Sequence, residues 1–260
     1  MNTVSIQTID SYDSYVALIE LNRPEAKNAI SVQFLEELHQ SIKAVQKEKF
    51  RALVITGVGD AFCSGADLKE RKNMSQPEVK RFLRNINVCF SELANLSIPT
   101  IAAINGFAFG GGLELALSCD IRYASESAIM GLTETKLGII PGAGGTQRLS
   151  RIVGESTAME WIFSGKKLSS AEALSRGLVS KVVNPVDLKD SSLALAREIA
   201  ESAPIAVSAS KRAIRQGFSM PIESALQWEQ LCYSETLTTK DRLEALQAFT
   251  EKRKPMFKGE

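Results

Sequence analysis

A single histidine, His39, stands in 260 residues, so nucleophilic chemistry in which a histidine activates serine or cysteine has almost nothing to work with. The four cysteines, Cys63, Cys89, Cys119 and Cys232, lie far apart and form no Cys-x-x-Cys pair. That spacing argues against a zinc site and a disulfide framework, and predicts reduced thiols in a reducing compartment. Charge of one sign is also missing: 31 basic against 30 acidic residues leave a formal net charge of +1. No global field therefore recruits nucleic acid or an anionic membrane. No apolar run approaches the ~20 residues needed to cross a bilayer. The opening MNTVSIQTID lacks both a basic segment followed by an apolar run and an Arg-rich amphipathic pattern. Neither a signal nor a transit peptide is expected, and the expected location is cytoplasmic.

What is present is an ordinary globular composition, 44% apolar and 23% charged, enough for one large core or a core with a small appendage. The stretch from Pro99 to Asp120, PTIAAINGFAFGGGLELALSCD, organises the chain. Ile101 to Ile104 suits a buried strand, Asn105-Gly106 and Gly110-Gly111-Gly112 break it, and an apolar helical pattern follows. The expectation is strand, glycine loop, helix. A glycine cluster opening a helix leaves backbone N–H groups free at the positive end of the helix dipole. Glu114 follows Gly111 by three residues, about one turn. The glycine spacing matches neither G-x-G-x-x-G nor a Walker loop, so phosphate is not the obvious anion.

Elsewhere, Val16 to Leu21, Ala52 to Thr56, Ile121 to Ala124 and Lys181 to Val183 read as strands. Ser31 reads as an N-cap ahead of a helix with Leu35, Leu38, Ile42 and Val45 on its apolar face. Lys43, Lys47 and Lys49 fall on the polar side, and His39 borders the apolar stripe as a surface residue. Met74 to Ser97 reads as a helix with Pro77 in its first turn, and Ala128 to Gly138 carries a second acid, Glu134, among small and apolar residues. Pro141 to Thr146 reads as a flexible or tightly turned loop, followed by helix through Trp161. From Leu188 onward only helical patterns occur, at 193–200, 204–216, 222–234 and 239–252. The division expected is an α/β catalytic core over 1–187 and a helical region over 188–260 docked on the core or on a neighbouring subunit.

Two acids in glycine-flanked surroundings, with no histidine to assist, suggest paired-carboxylate acid/base chemistry beside a backbone oxyanion site. The motifs are more specific. GADLKE at 65–70, NGFAFGGGLELALSCD at 105–120 and MGLTETKLGIIPGAGGTQRL at 130–149 resemble the enoyl-CoA hydratase/isomerase (crotonase) family. LNRPEAKNAI at 21–30 and AFTEKRKPMFKGE at 248–260 resemble it too, so the likeness spans the chain in the right order. It implies a spiral of ββα units with a helical C-terminal region that mediates trimerisation, as a trimer or a dimer of trimers.

By motif position the resemblance makes the backbone N–H groups of Ala66 and Gly111 an oxyanion hole for an acyl-CoA thioester, and Glu114 and Glu134 the catalytic acids. Retention of both favours a hydratase, which adds water across the 2,3 double bond, over an isomerase, which generally keeps only the later acid. Coenzyme A contacts are expected along Ala66, Asp67, Leu68, Lys69 and Gly111, with Phe249 and Lys252 reaching the nucleotide end from an adjacent subunit. Coenzyme A enters as part of the substrate, and no metal or bound cofactor is implied. GADLKER, TKLGIIPG and the C-terminal EKRKPMFKGE look closest to methylglutaconyl-CoA hydratases, and the resemblance implies a place in fatty-acid or leucine catabolism. Arg71 is then the candidate cation for the distal carboxylate of that substrate. The competing class of function is an RNA-binding hydratase homologue using Lys43, Lys47 and Lys49.

Overall fold

The strands that read as unbroken apolar runs do so because both of their faces are covered. The computed structural model describes residues 2–11 and 14–260. Its elements in order are β1 (Val4–Ser11), β2 (Ser14–Leu21), α1 (Val32–Lys47), β3 (Phe50–Gly57), β4 (Ala61–Cys63), α2 (Leu68–Arg71), α3 (Gln76–Ala94), β5 (Thr100–Ile104), β6 (Phe107–Phe109) and α4 (Gly111–Ser118). There follow β7 (Ile121–Ser125), β8 (Ile129–Gly131), α5 (Gly145–Val153), α6 (Glu155–Ser164), β9 (Leu168–Ser169), α7 (Ser170–Ser175), β10 (Lys181–Val183), α8 (Leu188–Ala200), α9 (Pro204–Gly217), α10 (Ile222–Ser234) and α11 (Lys240–Glu251).

Six strands form one sheet in the order β1-β2-β3-β5-β7-β10, parallel except for the β1–β2 hairpin. A smaller sheet runs β4-β6-β8-β9, with β9 antiparallel. The chain thus steps from large sheet to small sheet and then into a helix, three times: β3-β4-α2/α3, β5-β6-α4 and β7-β8 with the helices after it. This is the spiral of ββα units.

Alternation along the strands sorts the large sheet's side chains. Ile19, Leu21, Leu53, Ile55, Ala102 and Ile104 join the main core with Phe34, Leu38, Phe82 and Phe90 of α1 and α3. Val16, Leu18, Ala52, Val54, Ile101 and Ala103 face the other way, onto Leu188, Leu193, Ala196 and Ala200 of α8. The first C-terminal helix therefore seals a face of the sheet, and α9 and α10 pack against each other beyond it.

Several expectations need adjustment. The central stretch is strand, short strand, glycine turn and helix, because Phe107–Phe109 pairs into the small sheet between β4 and β8. Val4–Ser11 is a strand at the sheet edge. The helix expected to run through Trp161 is two, α5 and α6, broken at Gly154, whose φ of 84° is left-handed. The helix read over 74–97 is shorter, Gln76–Ala94, with Ser75 and Glu78 closing a capping box. Ser31 does cap α1, its Oγ accepting from the Phe34 N–H at 3.1 Å. All four cysteines are buried and unpaired. No helix among the described residues is long and apolar enough to cross a membrane.

Candidate active site

The site forms where the turn after β4 meets the turn after β6. Ile30 N–H donates to the Gly65 carbonyl at 2.8 Å and Asp67 N–H to the Ile30 carbonyl at 3.0 Å, a bridge that leaves the N–H of Ala66 out of its bonding. Across from it, Gly110 adopts φ 50° and ψ −123° and turns the chain into α4, making Gly111 the first helical residue. A first helical N–H has no acceptor within its own helix. The two turns touch: a Cβ on Gly111 would lie 3.8 Å from the Ala66 nitrogen, and one on Gly65 would lie 3.5 Å from the Gly111 nitrogen. Gly65 in particular has no room for a side chain, since its φ is 97° and a Cβ there would lie 2.8 Å from the Phe109 carbonyl oxygen.

Glu114 points from the first turn of α4 and is 3% exposed. Its Oε1 accepts from the N–H groups of Ala143 at 2.7 Å and Gly145 at 2.8 Å. Burial raises this carboxyl, while the Gly145 and Ala143 bonds and the Arg148 charge pull it back without cancelling the rise. Glu134 opens a 3-10 turn, Glu134–Leu137, after β8 and is 9% exposed. Hydrogen bonding of Gly110 N–H to the Gly131 carbonyl at 2.9 Å brings that turn to the glycine loop. Its Oε1 lies 3.1 Å from where a Cβ on Gly110 would stand, and its Oε2 is buried with no hydrogen-bond partner. Burial pushes Glu134 up to about 7, with the neighbouring Glu114 charge adding to the rise. A buried carboxyl oxygen without a partner calls for a ligand or water to meet it.

The structure thus gathers Ala66, Gly111, Glu114 and Glu134. Asp67 caps α2 through the Lys69 and Glu70 N–H groups and accepts from Arg23 at 2.7 Å. Burial works against its ionisation, but the Arg23 hydrogen bond, the two backbone bonds and the Arg23 charge hold it below the usual carboxylate range. Leu68 and Lys69 are exposed at the start of α2. Arg71 is half-buried, its guanidinium 5.7 Å from the centre of the Phe82 ring. Phe249, 85% exposed, and Lys252, left-handed at the C-cap of α11, lie on the last helix; no described contact joins them to the glutamates.

Reading the sequence missed the loop that holds Glu114. Ala143 and Gly145 act through backbone N–H groups, which any residue carries, so only the glycine-rich opening of α5 could have pointed to them. His39 pairs with Glu92 at 2.7 Å on the helical surface, as expected of a residue outside the chemistry.

A family model described as "Enoyl-CoA hydratase/isomerase" matches residues 11–260. The chain belongs to the enoyl-CoA hydratase/isomerase family. Among its relatives, the methylglutaconyl-CoA hydratase of Mus musculus mitochondria is 46% identical over 98% of this chain and 83% of its own length. A probable mitochondrial enoyl-CoA hydratase 2 of Arabidopsis thaliana is 44% identical over 98% of this chain and 86% of its own. The crystal structure of an enoyl-CoA hydratase from Bacillus anthracis superposes with a TM-score of 0.95 at 45% identity, covering 99% of this chain and all of the other. The family's crotonase-like α/β fold is therefore that of this chain.

Proposed function

We propose that this chain is an enoyl-CoA hydratase, a hydro-lyase that adds water across the 2,3 double bond of an acyl-CoA thioester. The reading rests chiefly on two buried glutamates in unlike surroundings beside the Ala66 and Gly111 N–H groups: one with an oxygen fixed by two backbone donors, the other with a bare oxygen. The thioester oxygen accepts from Ala66 and Gly111. Water adds its oxygen to C3 while Glu114 takes its proton, and the π electrons move onto the thioester as an enolate that the two donors stabilise. The enolate then takes a proton at C2 from Glu134, whose raised value of about 7 keeps that proton available near neutrality. Exchange between the carboxyls or with solvent resets the pair. No metal or bound redox group is needed, and coenzyme A arrives with the substrate.

In this reading coenzyme A runs along Ala66, Asp67, Leu68 and Lys69. Arg23 occupies the Asp67 side chain, and the Asp67 N–H and carbonyl are bonded to Ile30 and Arg71, so Asp67 shapes this wall of the groove by contact. Phe249 and Lys252 reach the nucleotide end of the coenzyme A from an adjacent subunit in a trimer or dimer of trimers. Support for assembly comes from the apolar residues left exposed on α9 to α11, among them Ile214, Phe218, Ile222, Leu243 and Phe249. Cytoplasmic residence belongs to the same reading, supported by the free buried thiols.

The finer reading makes 3-methylglutaconyl-CoA the substrate, supported by relatives of that name and by Arg71 at the end of the short helix that opens beside the oxyanion loop. The test is a panel of enoyl-CoA thioesters followed by loss of conjugated absorbance. Hydration of 2-enoyl-CoA is expected; migration of a 3,4 double bond without hydration would make the chain an isomerase. Salt-sensitive RNA binding lost on neutralising the exposed Lys43, Lys47 and Lys49, with no turnover, would replace the enzymatic reading.

A further inference from the structure

The loop holding Glu114 is itself held from outside. Arg148, on the first turns of α5, folds back so that its Nη1 donates to the Ala143 carbonyl at 2.8 Å. Ala143 is the residue whose N–H binds Glu114, so one peptide neighbour on each side of Ala143 is fixed: its nitrogen toward the carboxyl, its oxygen toward the guanidinium. The guanidinium lies over Gly144, which has φ 97°, and a Cβ there would stand 2.1 Å from Nη1. Gly144 is thus glycine for two reasons, its left-handed backbone and the arginine seated against it.

We propose that Arg148 is a positioning residue for the reacting centre, fixing the 143–145 loop so that two N–H groups converge on Glu114 and presenting its charge toward that carboxyl. The proposal rests on the hydratase reading for its kinetic consequence, but not for its geometric one. Glu114 is faced by Arg148 and interacts with Glu134; Arg148 is faced in turn by Glu114, Arg215 and the buried Cys119. Arg215, paired with Asp120 at 2.7 Å, still disfavours the Arg148 charge, while the Glu114 carboxylate favours it. Arginine suits the position because its planar fork can bond a carbonyl and keep its charge when partly buried, which lysine does less well.

The test uses three variants: Arg148→Met, which removes charge and fork; Arg148→Lys, which keeps charge alone; and Gly144→Ala, which pushes a methyl into the guanidinium's seat. Two readouts are followed: crotonyl-CoA kinetics, and the carboxyl titration of Glu114 by 13C NMR, assigned with Glu114→Gln. In Arg148→Met we expect kcat to fall about tenfold to a hundredfold with KM changed less than twofold, and Glu114 to titrate at higher pH. Arg148→Lys should return the titration toward the parent while recovering only part of kcat. Gly144→Ala should lower kcat as Arg148→Met does, and should add little to it in the double variant beyond its own backbone strain. An unchanged Glu114 titration in both folded Arg148 variants overturns the proposal, as does a kcat loss that Arg148→Lys repairs fully. If Arg148→Met fails to fold, Arg148→Lys and Gly144→Ala decide. A parent without hydratase activity would sink the functional reading, while the titration would still report whether Arg148 acts on Glu114.

Discussion

Glu134 and Gly110 are fitted to each other: the carboxyl oxygen Oε1 lies 3.1 Å from the point a Cβ on Gly110 would occupy, and Gly110 has the φ of 50° that side chains avoid. Gly110→Ala therefore strains the turn and presses on the carboxyl at once. We expect hydration of crotonyl-CoA to fall by roughly a hundredfold while acyl-CoA binding changes little, because the displacement acts on the acid rather than on coenzyme A. Parallel kinetics and calorimetric binding on the folded variant check this. Near-parental turnover would mean that Glu134 tolerates displacement and does not work from this position.

The raised value of Glu134 also carries a stability consequence, and its sign is definite. Between the ordinary carboxylate range and about 7 the folded protein keeps a proton that the unfolded chain has released, so stability falls as pH rises through that window and stays lower above it. Glu134→Gln has no such proton to lose. It should gain on the parent by up to on the order of 3 kcal/mol between pH 4.5 and 8, though hydration should fall by a hundredfold or more. Urea unfolding at the two pH values measures the difference; a constant gap between variant and parent would show that Glu134 titrates normally. For the same reason kcat/KM of the parent should decline as pH rises through about 7, and adding Glu114→Gln to Glu134→Gln should cost less than the product of the single losses.

How far the sequence reveals this arrangement depends on what kind of atom does the work. Glu114 and Glu134 are legible because carboxyl chemistry belongs to particular residue types, and the glycine cluster before Glu114 is legible because bare backbone needs glycine. The donors to Glu114 are not, since the N–H groups of Ala143 and Gly145 carry no residue-specific signal. The central strands announce themselves through apolar residues on both faces, whereas β1, at the sheet edge, alternates Val4 and Ile6 with Ser5 and Gln7 and carries a weaker pattern. Phe107–Phe109 is too short for periodicity, and the register that pairs it between β4 and β8 is set by long-range contacts.

Asp120 gathers two cations of α9 against the core. Its Oδ2 accepts from the Thr100 N–H at 2.8 Å and Oγ1 at 2.9 Å and lies 2.7 Å from the Lys211 ammonium, while Oδ1 accepts from Arg215 Nε at 2.9 Å and Nη2 at 2.7 Å. Replacing this carboxylate takes the counter-ion from two cations at once, and Lys211, only 10% exposed, keeps just the Ile98 carbonyl, to which its Nζ donates at 2.8 Å. Asp120→Asn should cost about 3–5 kcal/mol, the range for removing one partner of a buried pair. Lys211→Met should cost less, because Arg215 and Thr100 still satisfy Asp120 and only the Ile98 carbonyl loses its ammonium donor. Denaturant midpoints decide it; equal losses in the two variants would show that the charge is not what fastens the helix.

The proposed choice of a carboxylated substrate is tested at Arg71. Its guanidinium rests 5.7 Å from the Phe82 ring centre, an arrangement that holds a planar cation in place without consuming its hydrogen-bond donors. A 3-methylglutaconyl group carries a distal carboxylate that crotonyl lacks, and a charge-assisted pair with arginine contributes about 1.5–3 kcal/mol. If Arg71 meets that carboxylate, Arg71→Ala should lower kcat/KM for 3-methylglutaconyl-CoA by roughly tenfold or more and leave crotonyl-CoA within about twofold. Phe82→Leu serves as the companion variant, since removing the ring beneath the cation should shift the same ratio in the same direction with every charge retained. Equal losses for the two substrates would reduce Arg71 to a surface cation packed on α3. A parent enzyme that prefers crotonyl-CoA would make it a short-chain hydratase of broad use in fatty-acid breakdown.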